Sequence, residues 1–363
     1  MKFRCERDVL VEALNTAGRA VSARGGSLPV LSGVRLELSG DSLHATGSDL
    51  DLTITTSATV DGQGDGVAVL PSKLATDIVK VLEPGAVNIE INGDEASITA
   101  GRSQFALRTI PAAEFPRLAE PTGDGVTLDA KALAEALRQV VSAASTDDSR
   151  PILTGVLMAA EADGLRLVAT DSYRLAIRDL PGTSFLAEGR SVLVPSTALK
   201  ELNRVLSQAE TVTLRLGERE AAFEIGHVRL LTRLIEGEFP NYRNLIPASQ
   251  PNRLTVNREA MLDAVRRVRV VAEPSTPVRI LMREGGIELT AKGDTGNAHE
   301  ELDAKFEGTE LTVAFNPDYL LAGIDAATGD ECTLETVDPM KPALLRSIDS
   351  SDFLYLLMPV RVS

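Results

Sequence analysis

The stretch Arg150-Pro-Ile-Leu-Thr-Gly-Val156, followed after a polar turn by Leu165-Arg-Leu-Val-Ala-Thr-Asp171-Ser-Tyr-Arg-Leu175, decides the fold. Leucines and β-branched residues flank the pair Asp163-Gly164, a dipeptide that tolerates positive φ. The pattern predicts two strands joined by a turn.

The same stretch occurs twice more in weaker form. Upstream, Leu28-Pro-Val-Leu-Ser-Gly-Val34 and Ala45-Thr-Gly-Ser-Asp49 match it, with Asp49 lying 122 residues before Asp171. Downstream, Thr276-Pro-Val-Arg-Ile280 and Leu289-Thr-Ala-Lys-Gly-Asp294 match it, with Asp294 lying 123 residues after Asp171. The chain is therefore a tandem triplicate, and one third of its 363 residues is the size of a small domain.

Each repeat combines two helices with strands. Apolar residues recur at helical spacing over residues 7–24, 72–80, 129–142, 196–206, 257–273 and 316–325. Ser72, Ser196 and Asn316 are the expected N-caps of the second helix in each repeat, beside a proline that suits a helix start. The remaining sequence alternates apolar and polar residues as strands do, which predicts the α+β class.

Proline-containing polar stretches around residues 121–125 and 247–252 separate the repeats. They predict three domains, with limits 1–122, 123–250 and 251–363.

Composition describes a globular chain with an aliphatic core, since hydrophobic residues make up 44%, charged residues 25%, and Trp is absent. The sequence shows no apolar segment long enough to predict a membrane span or a signal peptide, so the cytoplasm is the expected compartment. Cys5 and Cys332 lie in strand-like runs and are expected as buried thiols. His44, His227 and His299 lack the close His or Cys partners of zinc sites, so we expect no metal or cofactor.

Four motifs stand in order on the triplicated chain: Ala169-Thr-Asp-Ser-Tyr-Arg-Leu-Ala176, Glu236-Gly-Glu-Phe-Pro-Asn-Tyr242, Asn316-Pro-Asp-Tyr-Leu320 and Met358-Pro-Val-Arg361. Together with the repeat, they make the whole chain resemble the β sliding clamp family, the processivity subunits of bacterial DNA polymerase III. The resemblance implies three copies of one clamp domain, helices inside and antiparallel sheets outside, in a head-to-tail homodimeric ring around duplex DNA. The implied partners are double-stranded DNA without sequence specificity, a clamp loader, the DNA polymerase III α subunit and other proteins with clamp-binding motifs.

The resemblance also implies a peptide-binding groove at the junction of the second and third domains. The matching positions are Leu153, Thr170, Ser172, Tyr173, Arg174, Leu175, Pro240, Leu245, Met340, Pro342, Leu356, Met358, Pro359, Val360 and Arg361. Leucine, proline and methionine make an adaptable apolar slot. Ser172 stands where many members of the family have glycine, so the peptide preference could differ in detail.

The net charge of −15 looks unsuited to DNA, but the acidic residues are unevenly distributed. The six predicted helices hold 13 basic and 11 acidic residues, against 24 and 41 in the rest of the chain. A helix-lined channel could therefore face phosphates while the acidic exterior repels DNA. The candidates are Arg19, Arg24, Lys73, Lys80, Lys131, Arg138, Arg150, Lys200, Arg204, Arg266, Arg267 and Arg269. The alternative interpretation is that these are ordinary solvated helix faces.

The ring is expected to close through the first domain of one chain and the third domain of the other. By position within the family pattern, the candidates are Lys73, Arg102 and Phe105 on one side and Val270, Val271, Glu300 and Glu301 on the other. Apolar side chains would form the centre of this interface and charged ones its rim.

Two other classes of function remain open at this point. Asp171, Tyr173 and Arg174 are reactive residue types in one turn, but nothing around them supplies a nucleophile, base and orienting group, so we expect a non-catalytic protein rather than an enzyme on a repeat scaffold. A clamp paralogue that gives tolerance of a clamp-directed antibiotic would share the same fold.

Overall fold

The computed structural model describes residues 1–22, 28–116, 119–183, 186–187, 189–272 and 276–361. Its contacts divide the chain into two compact units. The first unit holds Met1–Lys131 with Glu201–Leu234, and the second unit holds Ala132–Lys200 with Ile235–Ser363. None of the helices in these described ranges is long and apolar enough to cross a membrane.

The helices form where the apolar spacing predicts them. They are α1 (Arg7–Gly18), α2 (Ser72–Val81), α3 (Ala130–Val140), α4 (Ser196–Leu206), α5 (Arg258–Arg269) and α6 (Pro317–Ala326). The predictions of 7–24 and 257–273 were too long. The first helix ends at Gly18, a residue that disfavours helix interiors, and the chain closes there in a turn in which Ala20 N donates to Ala17 O at 3.2 Å. Val270 follows the end of α5 and is 85% exposed, so burial of its side chain does not stabilise a further helical turn.

The N-caps differ from the prediction at two of three positions. Asn316 is confirmed as a cap, because its side chain accepts from Asp318 N at 2.9 Å and Tyr319 N at 3.2 Å. Ser72 is instead the buried first residue of α2, with Pro71 at the cap position, and α4 likewise begins at Ser196 itself. Asn257, which the sequence did not single out, caps α5 by accepting from Ala260 N at 2.9 Å.

The strands follow the alternating segments. The first repeat contains β1 (Lys2–Glu6), β2 (Gly33–Ser39), β3 (Ser42–Ser48), β4 (Leu52–Thr59), β5 (Asp61–Gly64), β6 (Gly66–Pro71), β7 (Ala86–Asn92), β8 (Glu95–Ala100) and β9 (Ser103–Arg108). The second contains β10 (Val126–Asp129), β11 (Gly155–Glu161), β12 (Gly164–Thr170), β13 (Arg174–Pro181), β14 (Ser191–Pro195), β15 (Thr211–Leu216), β16 (Glu220–Ile225) and β17 (Val228–Arg233). The third contains β18 (Asn252–Asn257), β19 (Val278–Arg283), β20 (Gly286–Gly293), β21 (Gly296–Asp303), β22 (Lys305–Glu307), β23 (Leu311–Phe315), β24 (Glu331–Thr336), β25 (Ala343–Ser347) and β26 (Phe353–Leu357).

The first unit contains a five-stranded sheet in the order β5-β1-β7-β8-β9 and an eight-stranded sheet in the order β10-β15-β16-β17-β4-β3-β2-β6. Helix α1 packs on one face of β3 and β4, and its Leu10 and Leu14 join Phe3 and Leu36 in the core. Cys5 belongs to this core as a free thiol, and burial raises its pKa to about 11, which confirms the expected buried thiol.

The second unit contains a nine-stranded sheet in the order β14-β11-β12-β13-β26-β25-β24-β18-β22 and a four-stranded sheet in the order β21-β20-β19-β23. Cys332 on β24 is buried as a free thiol, and burial raises its pKa to about 11.

One rule governs how the sheets of neighbouring repeats join. In the first unit, β17 pairs antiparallel with β4, and in the second unit, β26 pairs antiparallel with β13. In both units, the last strand of one repeat pairs with a strand of the preceding repeat, namely the third strand that follows the first helix of that repeat. We call this pattern the junction rule. The last strand of the first repeat, β9, and the third strand after the first helix of the third repeat, β21, are left without such a partner, and each lies at the edge of its sheet.

Candidate functional site

The turn that connects β12 to β13 is built around the carboxylate of Asp171. Its Oδ1 accepts hydrogen bonds from Tyr173 N at 2.9 Å and Arg174 N at 3.0 Å, and Ser172 adopts a φ of +82°. The first repeat contains the same turn, since Asp49 Oδ1 accepts from the backbone at 3.0 and 2.7 Å and Leu50 has a φ of +83°. The sequence repeat is thus a repeat of one hydrogen-bonded turn.

The third repeat lacks this turn. Gly293 and Gly296 face each other at the ends of β20 and β21, and only two residues connect the strands. This agrees with the loss of most of the Asp-Ser-Tyr-Arg signature from the third copy.

Arg174 links the Asp171 turn to a group of tyrosines. Its Nε donates to Asp171 Oδ2 at 3.0 Å, and only 14% and 8% of the two side chains are exposed. The guanidinium lies 4.4 Å from the centre of the Tyr319 ring, against which Tyr173 stacks at 6.4 Å between centroids. Tyr355 Oη donates to Tyr319 O at 3.0 Å, and burial foremost raises the pKa of Tyr355 to about 12. The arrangement orients aromatic side chains, and Arg174 serves as a structural cation.

An apolar floor lies beside this turn, where β13 meets β26. Leu175 and Leu356 are direct partners in the ladder, and both are buried. Met358 N donates to Tyr173 O at 2.9 Å, which continues the contact beyond the end of β26. Tyr173, Leu245, Met340 and Met358 remain exposed by 59%, 49%, 53% and 38%, so several large apolar side chains of this unit face solvent.

The structure brings the central residues of the predicted groove together and places the others on connecting segments of the same unit. Thr170 is buried and its Oγ1 donates to Arg174 O at 2.7 Å. Val360 N donates to Ala314 O at 2.8 Å, which ties the end of the described chain to β23. The remaining predicted groove residues on these segments are Leu153, Pro240, Pro342, Pro359 and Arg361.

Sequence reasoning missed several residues of this site. Val168, Ile177, Tyr242, Leu344 and Leu354 form the buried cluster with Leu175 and Leu356, and Phe239 packs against it. The two-residue period that runs through Leu175 and Ile177 could have identified part of the cluster. Tyr319 could have been found from the Asn316–Leu320 motif, which contains it.

The predicted DNA-facing cations fall into two groups. Several have acidic partners within the chain: Arg138 with Glu135 at 2.7 Å, Arg204 with Glu201 at 2.7 Å, Arg266 with Asp263 at 3.2 Å, Arg267 with Glu300 at 2.8 Å and Arg269 with Asp318 at 2.6 Å. Within the described ranges, Arg19, Lys73, Lys80, Lys131 and Lys200 form no ion pair. Arg24 lies outside the described residues.

Two of the paired cations are also tied to the backbone. Arg150 pairs with Asp147 and donates to Asp171 O and Ser172 Oγ at 3.3 Å each, so it holds the Asp171 turn. Arg138 donates to Asp325 O at 2.7 Å and Ala326 O at 3.1 Å, at the carboxyl end of α6. The sequence prediction did not foresee either structural role.

The residues expected at a dimer interface lie on or beside two edge strands, apart from Lys73, which is exposed on α2. Phe105 is on β9 and packs partly against the first core, and the exposed Arg102 precedes that strand. Glu300 and Glu301 are on β21, and the exposed Val270 and its neighbour Val271 follow α5.

Comparison with known proteins gives full-length matches. Three family models match in order: the N-terminal domain of the DNA polymerase III beta subunit over residues 1–119, its central domain over 127–241 and its C-terminal domain over 243–361. The chain is 34% identical to the beta sliding clamp of Streptomyces coelicolor, with 100% of each chain covered. It is 30% identical to that of Staphylococcus aureus, with 99% of each covered.

Solved structures agree with these relatives. The sliding clamp of Bartonella birtlesii, solved bound to griselimycin, is 31% identical with a TM-score of 0.93 over 100% of each chain. The sliding clamp of Bacillus subtilis is 30% identical with a TM-score of 0.92 over 100% of each chain. None of these matches supports an enzyme or an antibiotic-tolerance paralogue. The chain belongs to the DNA polymerase III beta subunit family, the bacterial β sliding clamps.

Proposed function

We propose that two copies of this chain close head to tail into a ring around duplex DNA, and that the groove at β13 and β26 binds linear segments of replication proteins. Family membership establishes the broader function, a non-catalytic DNA sliding clamp in replication. The proposal adds the ring contact, the groove residues, the domain limits near residues 122 and 250, and the cytoplasm as location.

The observation that carries the ring is the junction rule. The first unit pairs Thr53 with Leu231, and the second unit pairs Leu175 with Leu356, at matching positions of the repeat. The strands of the second and third repeats are offset by 122 residues and not by the 123 of the Asp294 match, since Gly164 pairs with Pro181 and Gly286 pairs with Asp303. Extending the offsets, of 122 residues on one strand and 125 on the other, pairs β21 of one copy with β9 of another. In that register, Ala298 lies opposite Phe105 of a second copy and Glu300 lies opposite Ser103.

The register can be tested by cross-linking. Directly opposed positions of an antiparallel pair have Cβ atoms about 5 Å apart, within reach of a disulfide, whereas a neighbouring position points to the other face. Ser103→Cys combined with Glu300→Cys should give a covalent dimer under oxidation, and the buried native thiols should not interfere. Ser103→Cys with Glu301→Cys is the matched control.

A closed ring forms two such bonds and stops at the dimer, whereas an open assembly would give a ladder of larger products. A monomer in sedimentation at micromolar protein, or equal cross-linking of both pairs, would contradict the proposal. Phe105→Asp should shift the ring toward monomer.

The groove is proposed to take segments that carry a glutamine and a Leu-Phe pair, as clamp partners do. The griselimycin-bound Bartonella clamp supports ligand binding in this family. Met358→Ala and Leu175→Ala should each weaken binding of a labelled peptide of this kind by about 2 kcal/mol or more, as expected for central anchors. Removal of the residues from Met358 onward should abolish it.

Fluorescence anisotropy measures this loss. The control is Leu231→Ala, because Leu231 occupies the position in the first unit that matches Leu356. Unchanged affinity in all three groove variants, with the dimer intact, would place the peptide site elsewhere.

DNA retention is proposed to come from the closed ring and not from base recognition. Phosphate contacts alone give weak binding, in roughly the 10⁻⁴–10⁻⁶ M range, with strong salt dependence. Lys131→Glu and Lys200→Glu should weaken direct binding and loading by a clamp loader, because both exposed lysines are free of ion pairs within the described structure. Once loaded on circular DNA, the variants should stay as long as the wild type. Equal loss from circular and linear DNA, or tight sequence-selective binding, would contradict this proposal.

A further inference from the structure

The first unit contains a cavity of about 470 Å³ on its eight-stranded sheet. Its floor includes Thr46 and Thr55, which lie directly opposite each other on β3 and β4. The other face of β3 is occupied by α1, since a Cβ placed on Gly47 would lie 2.0 Å from Ala17 O. The cavity therefore belongs to the opposite face of the sheet, which is covered by neither of the two α-helices described in this repeat, α1 and α2.

Strand register identifies this cavity as the counterpart of the apolar groove. One row of directly paired residues crosses its floor: Arg35, Thr46, Thr55 and Arg229. The matching row in the second unit consists of Leu157, Val168, Ile177 and Leu354. Phe115 and Pro116, from the linker after the first repeat, line the cavity, and Phe239 and Pro240 occupy the same place after the second repeat. The two sites therefore have equivalent strands, the same register and equivalent linkers.

The chemistry of the cavity is that of a carboxylate receptor. Arg35 is only 13% exposed and pairs with Glu37 at 2.6 Å. Arg229 presents both Nη atoms to Glu120, with Nη1 to Oε1 at 2.7 Å. Its Nε is buried without a hydrogen bond, and its nearest acidic oxygen, on Glu224, is 3.6 Å away. A guanidinium that meets a carboxylate through two parallel bonds is the arrangement proteins use to recognise carboxylates.

We propose that this cavity binds an acidic linear peptide, whose carboxylate replaces Glu120 on Arg229. Glu120 comes from the linker after the first repeat, and its side chain is 61% exposed, so an incoming carboxylate can displace it. The two arginines end a row that spans three strand spacings, about 14 Å, which an extended peptide covers in about four residues. Acidic residues four positions apart therefore reach both guanidinium groups.

The net charge of the protein makes such binding selective. At −15, the chain as a whole repels an acidic peptide, whereas displacement of Glu120 leaves the cavity, lined by Arg35, Arg229 and Glu37, with one net positive charge. The inference is independent of the proposed ring and of the apolar groove, because the cavity is lined entirely by residues of the first unit.

The test uses the full chain and the fluorescein-labelled peptide Gly-Glu-Ala-Leu-Ala-Glu-Gly, with the peptide that carries glutamine at both glutamate positions as control. Glu120→Ala removes the internal competitor and should tighten binding about fivefold, as for loss of a partly exposed ion pair. Arg229→Gln and Arg35→Gln should each abolish it, and added salt should weaken it. Arg253→Ala, at an exposed arginine that pairs with Glu335 in the second unit, is the matched control and should leave binding unchanged.

Anisotropy gives the affinities, and a denaturation curve of each variant checks folding. Because Glu120 is exposed, Glu120→Ala should fold normally, so its affinity tests the proposal even if Arg229→Gln unfolds. The proposal is overturned if Glu120→Ala leaves affinity unchanged, if the glutamine peptide binds equally well, or if Arg253→Ala loses as much as Arg229→Gln.

Discussion

In the first unit, the row of paired side chains across β2, β3, β4 and β17 begins and ends with arginine, whereas the matching row in the second unit is entirely aliphatic. The backbone register is the same in both. Register is strongly constrained, because a shift by one residue would turn every side chain to the other face. The chemistry of this face can change while the register stays, so one scaffold carries a buried aliphatic row in the second unit and a polar cavity in the first.

The comparison also shows what an apolar row requires. In the second unit, Val168, Ile177 and Leu354 are buried beneath Tyr242 and Phe239 of the linker. In the first unit, Phe115 packs instead with Val30, Leu31 and Val69. The linker residue is the same, but it belongs to a different cluster, and the row beneath it stays open and polar.

The largest effect is expected from exchanging the rows. Arg35→Leu, Thr46→Val, Thr55→Ile and Arg229→Leu together give the first unit the aliphatic row of the second. Because the proposed anchor Leu175 packs in one cluster with this row, a clamp-motif peptide should then bind with a second equivalent per chain. Isothermal titration measures the stoichiometry.

The control adds Leu175→Ala to the exchanged chain, which should leave only the new site. A folded exchange variant that still binds a single equivalent would show that the row does not determine which junction binds the peptide.

The second comparison removes the carboxylate of the shared turn. Asp171→Ala leaves Arg174 buried without its partner, at a cost of about 3–5 kcal/mol. Asp49→Ala loses two hydrogen bonds to backbone groups, at about 1–2 kcal/mol. Denaturant titration of both variants tests the difference. Equal losses would mean that Arg174 finds another acceptor, with Tyr355 as the candidate.

Much of this architecture could be predicted from sequence, because local patterns determine it. The repeat of Asp49 and Asp171 marks a turn whose hydrogen bonds lie within four residues, and the helical spacing located each helix. Family resemblance placed Leu175 and Leu356 in one predicted groove, and the structure makes the two residues direct partners, while their role in peptide binding stays a prediction.

The rest depends on contacts between distant parts of the chain. The pairing of β13 with β26 joins residues about 180 positions apart, and no local pattern specifies it. Tyr355 was missed for this reason, as were the contact of Tyr319 with Arg174 and the bonds of Arg138 to Asp325 and Ala326. The polar cavity was missed because Arg35 and Arg229 look like ordinary surface cations until the register aligns them.

A third prediction uses pH to separate the two units. Each unit has a buried thiol whose pKa is raised to about 11, but only the second has Tyr355, whose pKa burial raises from 10.0 to about 12. The matching position in the first unit is Leu230. The unfolded tyrosine loses its proton near its ordinary value and the folded one does not, so this stability is present below pH 10 and is lost as pH rises to 12.

The expected loss is about 2 kcal/mol at most, measured from denaturation midpoints between pH 9 and pH 12. Tyr355→Phe should remove the part of this loss of stability that comes from the tyrosine and leave the part that comes from the two thiols. An unchanged slope in this variant would assign the whole decline to Cys5 and Cys332.

The smallest effect concerns the residue with positive φ in each turn. Ser172 and Leu50 adopt nearly the same φ, +82° and +83°, in which residues other than glycine are strained by about 1 kcal/mol. Ser172 is exposed, so Ser172→Gly should stabilise the chain by about 0.5–1 kcal/mol despite the loss of the 3.3 Å contact with Arg150. Leu50 packs against the cluster of Val30, Leu31 and Val69, so Leu50→Gly gives up apolar burial that outweighs the relief of strain. Paired thermal melts should therefore move in opposite directions, and stabilisation by both substitutions would mean that the Leu50 side chain contributes little to its cluster.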